Sequence, residues 1–142
     1  MRRRGARDEG GFVALELVLG VAVLLFPASM LVVTLPRWSE RQSTGRAIAR
    51  EVARDTAVAG ICDLDRARTI ARVMSENLGV AAADVSVQLD CWPGAPLARN
   101  TAVTASVTVA MPAVAIPGVA DVGAWSWTAR HREPVDPYRS IP

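Results

Sequence analysis

A long apolar run occupies residues 10–36, GGFVALELVLGVAVLLFPASMLVVTLP, and it contains one charge, Glu16. No other feature constrains the chain as much. Residues 12–35 number 24, and as an α-helix they would reach ~36 Å, against a bilayer hydrocarbon core of ~30 Å. The run therefore reads as a membrane-spanning helix. The chain of 142 residues leaves room for one small domain after it.

The flanks set an orientation. Arg2, Arg3, Arg4 and Arg7 precede the run, with Asp8 and Glu9 as the only acids there. With those six charges set aside, 12 basic residues face 12 acids, so the net charge of +2 belongs to the N-terminal tail. Basic residues ahead of a membrane helix hold that end in the cytoplasm, which puts everything after residue 36 outside. Every basic residue besides the single His is Arg. No basic block interleaved with aromatics remains, so a nucleic-acid partner is not expected.

Glu16 separates three readings of the run. A plain anchor has no use for a carboxylate, which is costly in a bilayer. A secretory signal peptide needs small residues three and one before its cut. Gly20 and Ala22 offer that pattern only inside the apolar run itself. In the third reading the chain is cut after Gly11, leaving a free ammonium on Phe12. Glu16 then lies four residues on, or ~6 Å along the helix. Subunits offset by about one turn would pair Glu16 of one with the ammonium of the next, and burial makes such a pair specific.

A basic tail, Gly11, a cut, then Phe12-Val-Ala-Leu-Glu16 opening a long apolar helix resembles the type IV prepilins and pseudopilins. The resemblance covers about a sixth of the chain. It implies a membrane peptidase that cuts between Gly11 and Phe12, and a Glu at the fifth mature position that guides assembly. The layout is most similar to the TadE-like minor pilins of tight-adherence (Flp-type) pilus systems. The major Flp-type pilin is much shorter and has an aromatic after the Glu, where this chain has Leu17. The resemblance implies as partners the lipid bilayer, a prepilin peptidase, other pilin subunits and pilus assembly proteins. The rival reading is an unprocessed single-pass membrane protein whose small external domain binds a partner.

Pro27 is expected to kink the helix. After Pro36 the helix should resume, with Trp38 at interface depth, over residues 37–60. Ile48, Ala49, Val52 and Ala59 form a thin apolar stripe there. Arg46, Arg50 and Arg54, beside Glu51 and Asp55, form a solvated face or a contact with neighbouring subunits. Gly60 ends the segment. Asp63 and Asp65 offer caps for a second, amphipathic helix with Ala67, Ile70, Ala71, Met74 and Leu78 on its apolar face. Arg68, Arg72, Ser75 and Glu76 fall on the polar one, and Gly79 is its stop.

Three stretches then alternate with period 2: residues 85–91, 103–111 and 125–130. Their connections are too short for parallel crossovers, so the sheet should be antiparallel with one wet face. The fold class expected is α+β, pilin-like: a long N-terminal transmembrane helix, then a short amphipathic helix packed on a three-stranded antiparallel sheet. The expected divisions are a leader (1–11), the membrane and assembly helix (12–36), its extension (37–60), an exported domain (61–133) and a Pro-rich surface tail (134–142).

Cys62 and Cys91 are the only cysteines, and the topology places both outside, where disulfides persist. A bridge between them would stabilise by ~3.6 kcal/mol in the chain-entropy model; two buried free thiols are the alternative. Metal binding is not expected, since there is no C-x-x-C and His131 is the single histidine, too few for a four-ligand site. His131 lies between Arg130 and Arg132, which suits a solvated edge better than a Cys-His nucleophile. Trp125 and Trp127 share a face, which suits core packing better than ligand stacking. No phosphate loop, carboxylate pair or Ser/His/Asp set can be assembled, so neither a cofactor nor an enzyme is expected.

Overall fold

The computed structural model describes residues 10–113 and 125–138. The basic tail through Glu9, most of the connection before the third strand and the last four residues lie outside it. The fold is α+β. Helix α1 (Gly10–Ala59) is followed by α2 (Leu64–Asn77), a single 3-10 turn (Ala82–Asp84), β1 (Val85–Leu89), β2 (Ala102–Ala110) and β3 (Ser126–Pro134). The chain divides into two compact units, Met1–Pro36 and Arg37–Pro142.

The first unit is helical from Gly10 and is long and apolar enough to cross a membrane. Side chains of residues 14–29 are all exposed. Both Pro27 and Pro36 lie inside α1, so the expected interruption at residue 36 does not occur. An interior proline removes its own amide from the ladder and crowds the carbonyl four residues back, yet α1 runs through both positions.

The second unit is a helix pair laid on a meander. The strand order is β1-β2-β3, all antiparallel. Opposed pairs stack the inner face: Val85, Val109 and Trp127 form one rung, and Val87, Val107 and Ala129 the next. Against them lie Ile48, Ala49, Val52 and Ala53 of α1 and Ala67 and Ala71 of α2, all buried. At Gly45 α1 packs tightly against the sheet. A Cβ there would stand 3.0 Å from Val109 Cγ2 and 3.2 Å from the Trp127 ring. The outer face carries Ser86, Gln88, Thr104, Ser106, Thr108 and Thr128, with the Thr108 and Thr128 hydroxyls 2.8 Å apart.

Helix α2 begins as expected. Asp63 caps it, its carboxylate accepting from the Arg66 amide at 2.9 Å. The other end closes through Gly79, at φ +71°, with the Gly79 amide donating to Glu76 and the Val80 amide to Ser75. This two-bond C-cap needs a left-handed residue, which glycine supplies without strain. The buried face also differs from the one expected. Ser75 is fully buried and Leu78 is half exposed, the reverse of the sequence reading. The Ser75 hydroxyl donates to the Arg72 carbonyl at 2.9 Å, so its burial leaves no unmet bond.

Two boundaries also move. Strand β1 stops at Leu89, leaving Cys91 in the connection, while β3 continues to Pro134. Val135, expected in a surface tail, is buried beside Val103 and Ala57, and its amide donates to Thr101 at 2.9 Å.

Candidate functional site

In the first unit Gly11 and Phe12 fall in the opening turn of α1, and Glu16 stands one turn later. Residues 14–35 contain three polar side chains: Glu16, Ser29 and Thr34. The Ser29 hydroxyl donates to the Phe26 carbonyl and the Thr34 hydroxyl to the Met30 carbonyl, each at 2.8 Å. Hydroxyls that bond back to their own helix are how such groups reside in lipid. Glu16 does not follow them. It is exposed between Leu15 and Leu17, and it has no hydrogen-bond or ion-pair partner among the described residues. Neither hydroxyl could serve it, since a helix places them about three turns or more away. A carboxylate in that setting is either costly or completed by a group beyond the described residues.

In the second unit Cys62 and Cys91 form a disulfide, with Cα atoms 5.9 Å apart. The bridge is one of several ties between the turn after α1 and the β1–β2 connection. The Cys62 amide donates to Ala95, the Gly94 amide to Cys62 and the Leu97 amide to Gly60, at 2.7–2.9 Å. Gly60, at φ +69°, sets this up by ending α1 with its amide bonded to Thr56. Sequence reasoning found the cysteines but not this ladder, because backbone pairing between two irregular segments has no periodicity to read.

The remaining candidates occupy structural positions. Trp127 lies half buried over Gly45, with the Arg46 guanidinium 5.1 Å from its ring centre. Trp125 meets Trp38 edge-on at 5.7 Å. The ring of His131 is half buried, 3.1 Å from the Glu133 carboxylate, and not on a fully solvated edge. Arg66 pairs with Asp55 through two bonds of 2.6 and 2.7 Å, and that carboxylate holds the guanidinium protonated to above its usual range. Arg50 and Arg54 make no ion pair among the described residues. No three His, Cys, Asp or Glu side chains converge on a metal-sized space there either.

Comparison of the chain with known protein families, with characterised proteins and with solved structures returns no match.

Proposed function

We propose that this chain is a prepilin-like membrane protein, a minor pilin or assembly protein of a tight-adherence, type IV-like pilus. A prepilin peptidase removes residues 1–11, and residues 12–36 then serve as both anchor and assembly helix. The domain that follows faces outside, where it primes, caps or decorates the filament. It carries no catalytic role. The observation that supports this reading is Glu16, the one polar side chain of the apolar helix that its own helix does not satisfy. A cut after Gly11 would supply the missing partner as the Phe12 ammonium of a neighbouring subunit, at the spacing of one helical turn.

N-terminal sequencing of the membrane-extracted protein tests the cut. A Phe12 start is expected; an intact Met1 or Arg2 start would refute processing and leave an ordinary single-pass anchor. Glu16→Leu tests the pairing. Membrane insertion should be normal and incorporation into filaments lost, whereas unimpaired incorporation would remove Glu16 from assembly.

A further inference from the structure

We propose that Trp38 and Trp125 together form an aromatic foot by which the domain of residues 37–142 rests in the headgroup layer of the bilayer. The inference depends on residues 12–36 spanning a membrane, and it assigns a lipid contact to a residue remote in sequence from that span.

Trp38 follows Leu35 by three positions, so along α1 it lies within ~4.5 Å of the end of the apolar run. It cannot be far from the hydrocarbon edge. Trp125 comes from the opposite end of the sequence, yet its ring centre is 5.7 Å from that of Trp38, the planes crossing at 86°. Two tethers fix the pair. The Trp38 indole N–H donates to the Pro112 carbonyl at 3.4 Å, and the Trp125 carbonyl accepts from the Met111 amide at 2.8 Å. Trp125 is nevertheless 41% exposed. Two residues later, Trp127 is turned toward the core over Gly45. Trp127 of β3 thus serves packing, while Trp125, just before the strand, is held at the surface against Trp38.

Tryptophan at a membrane–water boundary gains from both sides of it, with an apolar ring toward the acyl chains and an N–H toward water or headgroups; the Trp38 N–H is already bonded to Pro112, so the gain there comes from the ring. The charges nearby do not suggest an electrostatic contact. Arg41 is paired to Asp84 at 2.8 Å, and Arg37 has Glu40 three residues away on the same helix. The contact is therefore aromatic, indifferent to headgroup charge and resistant to salt.

The test uses the full chain in phosphatidylcholine nanodiscs whose lipids are brominated either near the headgroup end of the acyl chain or near its methyl end. Trp92→Phe serves as background, removing the tryptophan that is 81% exposed on the β1–β2 connection. Shallow bromines should quench more than deep ones, and high salt should not change this. Adding Trp125→Phe should cause about a twofold loss of quenchable intensity, because two boundary tryptophans contribute. Trp125→Tyr, which keeps a ring edge toward Trp38, repeats the measurement if the Phe variant does not fold. Unchanged quenching in both variants, with all of it lost in Trp38→Phe, would overturn the proposal while leaving the membrane-spanning reading intact. Quenching that salt abolishes would also overturn it, in favour of the arginines. A chain that fails to incorporate into the discs would refute the membrane reading itself.

Discussion

Replacing Cys62 and Cys91 together by alanine should cost the domain of residues 37–142 a large part of its stability. The bridge joins residues 29 apart, and closing a loop of that length removes ~3.6 kcal/mol of denatured-state freedom in the chain-entropy model. Cys62 is buried, at 1% exposure, so the missing sulfur adds roughly 1 kcal/mol or less for the gap. For a unit of about a hundred residues the melting entropy is ~0.2 kcal/mol per kelvin, which converts the loss into a fall of roughly 15–20 °C. The assay is thermal unfolding of the full chain in detergent, followed by near-ultraviolet dichroism of the tryptophans. Reductant should lower the melting temperature of the parent protein by about the loop-closure part and leave the double variant unchanged. A fall of less than about 4 °C, close to 1 kcal/mol, would refute the reasoning. It would mean that the unfolded chain already keeps the two segments together, so that the covalent bond removes little freedom.

Two further substitutions test the packing. Gly45→Val should destabilise by about 1–3 kcal/mol through overpacking, because its Cβ alone would sit 3.0 Å from Val109 Cγ2; a denaturation midpoint at or above that of the parent would contradict so close an approach. Gly79→Ala meets no neighbouring atom but must adopt φ +71°, and urea titration should show a loss of about 1 kcal/mol from backbone strain alone.

The strongest periodicities were legible in the sequence. All three strands, the Asp63 cap, the Gly60 and Gly79 stops and the cysteine pair follow from residue type and spacing, and the structure bears each of them out. Misread features share a cause: a tertiary contact decided between local options. Ser75 looks polar, yet it follows Ala67 and Ala71 at four-residue intervals and is buried with them, its hydroxyl satisfied by Arg72. Leu78 looks apolar, but the helix ends beneath it. Val135 sits among prolines without any period, and only its amide bond to Thr101 shows that the β2–β3 ladder continues past the named strand. For Glu16 the sequence supplied the residue and its spacing. What only coordinates supply is the contrast with Ser29 and Thr34, whose hydroxyls are already bonded.

The inner layer of the domain is made largely of small side chains. Ala49, Ala53, Ala57, Ala67, Ala71, Ala105 and Ala129 are all buried, with Gly45 beneath Trp127. An alanine has almost nothing to lose by truncation, so the costly trims fall on the larger buried side chains, among them Ile48, Val52, Val103, Val107 and Val109. Enlargement at Gly45, in contrast, would meet Val109 and the Trp127 ring at once. The Ser and Thr side chains on the outer face of the sheet carry no such constraint, while the small inner side chains set the spacing between the layers. Relatives of this chain should thus be easier to find by that interlayer distance than by resemblance of their surfaces.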